Sequence, residues 1–222
     1  MALDLDQILG RVRQKRSLDL DDVIARVGRS GGAPQAAPGA ALDLSVLTSH
    51  RSLMGAGKRY LARLYDGRTG SVGYTFEGKK RYLDLKVEPA VVWWPETGHS
   101  AITDGYALYH LPRGSKRKPK ADAPDATVLR DAARTHSAAR VELCVALTDS
   151  SAPVWLILWG GDGKPLVVLD PVRMAALLFS FGDPETPVAV ELGDPGKPIT
   201  VQPLDGRDKL LIMGLLDWEG RI

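Results

Sequence analysis

Chemistry needs side chains that hold protons, metals or phosphates, and few in this sequence are spaced to do so together. His99, Asp104 and His110 bring two imidazoles and a carboxylate into a short stretch. These groups ligate divalent metals or move protons near neutral pH. Their spacing matches no established ligand pattern, and strand ends facing solvent account for them equally well, so a hydrolase built on them is the least favoured reading. Gly55-Ala56-Gly57-Lys58 has the glycines and lysine of a phosphate-cradling loop. Ser52, however, stands where the first glycine belongs, and Arg59 where a Ser or Thr would hold magnesium, so nucleotide binding is not expected. Cys144, within the apolar run 141–147, reads as a small buried hydrophobe rather than a nucleophile. Trp93 and Trp94 are adjacent and must face opposite sides of a strand, one towards a core and the other open to a protein surface or a stacked base. These residues predict binding and scaffolding, with no catalysis, no cofactor and no metal.

Composition sets the outer bounds. The 222 residues have room for one large domain or two small ones plus a tail. Lys and Arg total 29 against 27 Asp and Glu, so the formal net charge of +2 calls for no polyanion or membrane partner in bulk, and any basic surface is local. The one cysteine excludes an internal disulfide and favours a reducing compartment, which makes the cytoplasm the expectation. The acidic N-terminus does not read as a secretory leader, and no window approaches the roughly 18 apolar residues of a membrane span.

Along the chain, residues 1–50 form an arm. Leu3-Asp4-Leu5-Asp6-Gln7-Ile8-Leu9 is echoed by Leu18-Asp19-Leu20-Asp21-Asp22-Val23-Ile24, and Leu42-Asp43-Leu44-Ser45-Val46-Leu47 starts a weaker third copy. Each of the first two reads as a short helix with aspartates at its N-terminus and one apolar stripe: Leu5, Ile8 and Leu9 in the first, Leu20, Val23 and Ile24 in the second. Helices this short are marginal in water, so these stripes need a surface, either a groove on a partner or the main domain itself. Residues 31–41, rich in Gly, Pro and Ala, read as a linker.

From about residue 58 the pattern predicts strands at 60–65, 72–76, 81–87, 90–94 and 106–111, a β-rich domain over 51–125. It closes on an exposed basic loop carrying Lys116, Arg117, Lys118 and Lys120. Residues 127–140 predict a helix with Arg130 and Arg134 one turn apart, opening a third segment, 126–222. Strands are predicted at 139–147, 154–159 and 164–169. Asp170-Pro171 is a helix start, and 172–181 is apolar nearly all round, so it must be covered. Strands at 187–192, 199–203 and 209–214 follow.

The order strand, Asp-Pro-capped apolar helix, then three strands over residues 163–216 resembles the closing βαβββ unit of the bacterial sliding clamp, the β subunit of DNA polymerase III. The matching runs are Lys164 to Asp170, Pro171-Val-Arg-Met-Ala-Ala-Leu-Leu-Phe-Ser-Phe181, Val188 to Leu192, Ile199 to Gln202 and Lys209 to Leu215. The resemblance implies an α+β, β-rich fold of sliding-clamp-like βαβββ units preceded by a short helical or disordered N-terminal arm. It implies a processivity factor or clamp-derived adaptor that holds double-stranded DNA without reading sequence, through Arg130, Arg134, Arg140, Arg173, Lys116, Arg117 and Lys118. It also implies a replication or repair partner in a pocket that takes in Ile212, Met213 and Leu215, although Gly214 stands here where the family has proline and the tail 216–222 runs on. Two clamp-like domains per chain would need a homotrimer to close a ring. The competing reading is a β-rich interaction module that docks a partner through its N-terminal repeats and does not encircle DNA.

Overall fold

The computed structural model describes residues 41–94, 99–112, 115, 117, 140–145, 153–161, 165–191, 198–205 and 210–213. The fold is α+β and rich in small antiparallel sheets. The helices are α1 (Ser45–Thr48), α2 (Arg51–Asp66) and α3 (Pro171–Ser180). The strands are β1 (Gly70–Phe76), β2 (Lys79–Leu85), β3 (Ala90–Trp94), β4 (His99–Thr103), β5 (Leu108–His110), β6 (Arg140–Val145), β7 (Val154–Trp159), β8 (Pro165–Leu169), β9 (Val188–Glu191), β10 (Pro198–Pro203) and β11 (Leu210–Met213). They pair as a β1–β2 hairpin and as the three-stranded sheets β3-β4-β5, β6-β7-β8 and β11-β10-β9.

The first departure from the sequence reading is α2. Residues 60–65, expected as a strand, are the second half of this 16-residue helix. A window opened at Lys58 cuts the apolar stripe in two; restoring Leu53, Met54, Ala56 and Gly57 ahead of Tyr60, Leu61 and Leu64 gives helical spacing, and all seven are buried. His50 caps the start, its ring nitrogen accepting from the Leu53 N–H, and Gly67, at φ 70°, ends the helix in the left-handed conformation. Gly55 to Lys58 are therefore mid-helix, with no loop to cradle a phosphate.

The order β8, α3, β9, β10, β11 follows the sequence reading, but β8 and β9 belong to separate sheets, so α3 joins two sheets instead of lying across one. Asp170 caps α3 by accepting from the Val172 and Arg173 N–H groups at 2.9 and 3.0 Å. Pro171, Val172 and Met174 to Leu178 are buried, as an all-apolar helix requires.

One core cluster runs from Leu44 to Val201 and draws on both sides of the expected boundary near 125. Its centre is the contact of α2 with α3. A Cβ on Gly57 would sit 2.5 Å from the Ala175 Cβ and 2.8 Å from the Ala176 nitrogen, so the helices meet backbone to backbone. Gly57→Ala is expected to cost about 1–3 kcal/mol through overpacking, against the roughly 1 kcal/mol that Ala gains over Gly in an open helix. Urea unfolding checks the sign.

Candidate functional site

A buried polar cluster lies at the edge of this helix contact. Asp104 occupies the turn between β4 and β5, where its Oδ1 accepts from the Tyr106 and Ala107 N–H groups, both at 2.8 Å. Short polar side chains that bond their own backbone a few residues on hold such turns shut, and Gly105 supplies the positive φ of 86°. The other oxygen, Oδ2, accepts from the Tyr60 hydroxyl of α2 at 2.5 Å, Arg173 Nε of α3 at 2.9 Å and the Tyr109 hydroxyl of β5 at 3.3 Å. One carboxylate thus ties both long helices to the β3-β4-β5 sheet. The Arg173 guanidinium lies over the Tyr106 ring at 4.2 Å and reaches Asp170 Oδ2 at 3.6 Å.

Burial sets the chemistry. Asp104 is 2% exposed, and Tyr60 and Tyr109 are fully buried. Burial, then the negative charge of Asp104, pushes both phenols well above their ordinary range. Burial likewise raises the Asp170 carboxyl, with Arg173 and the two capped N–H groups pulling the other way. Burial opposes the Arg173 cation, but Tyr60, Asp170, Asp104 and Tyr109 outweigh it and hold the guanidinium above its usual value. A carboxylate has room for about four hydrogen bonds on its two oxygens, and those of Asp104 are taken from within the fold. This is a clasp: its hydrogen bonds hold α2, α3 and the β4–β5 turn together.

The expected site residues divide accordingly. Asp104 accepts from the turn, Tyr60, Tyr109 and Arg173; the His110 ring packs edge-on against Phe181 at 5.5 Å, and only the backbone of His99 is described. Among the described residues no three His, Cys, Asp or Glu side chains converge on a metal position. Of the arginines assigned to DNA, Arg173 belongs to the clasp, its side chain 14% exposed. Arg117, expected on an open basic loop, donates to the Leu64 and Pro89 carbonyls at 2.9 and 2.8 Å and pins the end of α2 to the start of β3. Arg140 lies over the Trp159 ring at 4.8 Å, with Nε 3.5 Å from Glu142. All three are held inside the fold, where the planar guanidinium with its several fixed donors can reach two partners at once or stack on a ring. Lys116, Lys118, Arg130, Arg134, Leu215 and the stripes Leu5, Ile8, Leu9, Leu20, Val23 and Ile24 lie outside the described residues. Ile212 and Met213 are on β11, in register with Ile199 and Pro198 of β10.

Sequence reasoning missed the cations that are exposed. Arg51, Lys58 and Arg59 lie on the outer side of α2, opposite its buried stripe. Helical spacing of 51, 55, 58, 59 and 62 would have found them had the helix been recognised.

Comparison with protein-family models, with curated proteins and with solved structures finds no match. The likeness to sliding clamps rests on the sequence pattern alone. No helix among the described residues is long and apolar enough to cross a membrane.

Arg173→Met, which leaves Asp104 buried without its cation, is expected to cost about 3–5 kcal/mol in urea unfolding. A second expectation concerns alkali. Burial raises Tyr60 and Tyr109 far up and pushes Tyr65 and Tyr74 to about 12. The unfolded chain gives up these protons near pH ~10, so stability is full below that and falls as pH climbs towards the folded values. Phenolate absorbance followed with circular dichroism should show the Tyr60 and Tyr109 phenolates appearing only as structure is lost.

Proposed function

We propose that this protein is a non-catalytic adaptor that docks a protein partner through its N-terminal repeats. The supporting observation is how the third copy engages the fold. Leu42 donates its N–H to the Val188 carbonyl at 2.8 Å, and Asp43 Oδ1 accepts from the Ser45 N–H at 2.9 Å at the start of α1. The Ser45 hydroxyl, and then this N–H, lower the Asp43 pKa and favour the charged form. Leu44 and Leu47, one helical turn apart, are 7% and 0% exposed in the main core. The third copy thus packs as a docking peptide would, with Leu44 and Leu47 entering the apolar core while Asp43 holds the turn that leads into one turn of helix.

The first two copies carry the same order, Leu-Asp-Leu followed three residues after the second leucine by Ile8 or Val23. Their stripes suit an apolar groove of the same kind on a partner, reached over the linker at 31–41. The clamp reading draws no support from Arg117, Arg140 and Arg173, since these are engaged inside the fold.

The test is reconstitution of the intact chain with a purified, identified partner. Burying one aliphatic side chain contributes about 1.5–3 kcal/mol, so Ile8→Asp with Ile24→Asp should weaken the complex at least about tenfold in calorimetry. Unchanged affinity in that double variant would sink the proposal.

A further inference from the structure

We propose that the outer face of the β1–β2 hairpin, with the adjoining edge of α2, binds single-stranded nucleic acid. This site is separate from the N-terminal repeats.

The hairpin has two unlike faces. Val72, Tyr74 and Phe76 are buried beneath it. On the outer face Gly73 stands opposite Tyr82 and Thr75 opposite Lys80. Tyr82 is 67% exposed, the most of any large hydrophobic side chain among the described residues. Its Cε1 lies 3.2 Å from where a Gly73 Cβ would be, so the ring is laid down across the glycine and does not project from the strand. Its underside covers the Gly73 backbone and its upper side is open. A flat aromatic surface fixed on a sheet is what sequence-tolerant base stacking requires.

Cations outnumber acids on this face and along its edge with α2. Lys80 is two residues from Tyr82 on the same face, about 7 Å along the strand. Arg59 reaches from α2 to donate to the Gly73 carbonyl at 2.7 Å, which puts a guanidinium at the edge of β1 beside the ring. Lys58 is exposed on the next position of α2. Asp84, the acid on the same face, accepts from the Ser71 hydroxyl. Positive charge around an open aromatic face complements a phosphate backbone that carries bases with free π-faces. Duplex DNA covers those faces in its own stack, so the arrangement selects an unpaired strand.

The experiment uses fluorescence anisotropy of the intact chain with three labelled probes: an oligothymidylate, an abasic strand of equal length and charge, and a duplex. Oligothymidylate should bind about tenfold or more tightly than the abasic strand, the contribution of one stacked base. Tyr82→Leu should abolish that advantage without changing abasic affinity, and Tyr82→Phe should keep it. Lys80→Ala should weaken both strands and lower the slope of log affinity against log salt by about 0.7. Equal affinity for the two strands, preference for duplex, displacement by polyglutamate as readily as by unlabelled oligothymidylate, or no binding would each overturn the proposal. None of these variants touches the repeats, so the adaptor reading is judged separately on the Ile8 and Ile24 variant.

Discussion

Two helices held in backbone contact are the constraint on which the structure depends. Gly57 of α2 lies against Ala175 and Ala176 of α3 with no space for a further carbon atom. Small residues allow such an approach, and dispersion between closely apposed backbones is the return. The β1–β2 hairpin lies on α2, the β4–β5 turn sits at the edge of the helix contact, and the chain passes from β8 through α3 into β9. Shifting either helix by the width of one methyl group would disturb these neighbours together.

A buried charge cluster specifies where that contact ends. Asp104 gathers Tyr60 from α2, Tyr109 from β5 and Arg173 from α3, and Arg173 is stacked on Tyr106. Such clusters are weak sources of net stability, because taking both charges out of water costs about as much as their attraction returns. They do, however, penalise any arrangement that leaves one partner alone. The clasp therefore fixes the rotation of α3 about its axis, which the nearly uniform apolar surface of that helix does not. It also withdraws the most catalytic-looking carboxylate of the chain from contact with solvent.

The two proposed binding surfaces lie away from this cluster. One is the short Leu-Asp-Leu segment, whose third copy is seated in the core through Leu44 and Leu47. The other is the outer side of α2 and the hairpin, where Lys58, Arg59, Lys80 and Tyr82 point away from the core. The separation has a simple origin. Arg117, Arg140 and Arg173 found carbonyl, carboxylate or aromatic partners inside the fold, whereas Arg59 meets its carbonyl at the surface and Lys58 and Lys80, strongly hydrated, stay outside.

Local signals in the sequence determined local structure. Asp170-Pro171 specified the start of α3, alternation and turn residues specified the hairpin, and the unbroken apolar surface of residues 172–181 required a covered helix. The Leu-Asp-Leu pattern predicted a short helix needing a surface, and the third copy has one through Leu44 and Leu47. The sequence from Lys58 onward does not show α2 as a helix because its apolar stripe begins upstream, at Leu53. Tertiary structure alone decided that Asp104, 44 residues from Tyr60 and 69 from Arg173, would meet both. Sequence spacing carries no record of contacts made across that distance. It likewise could not show which cations would be consumed inside the fold, since an arginine bound to a backbone carbonyl and one facing water are the same letter.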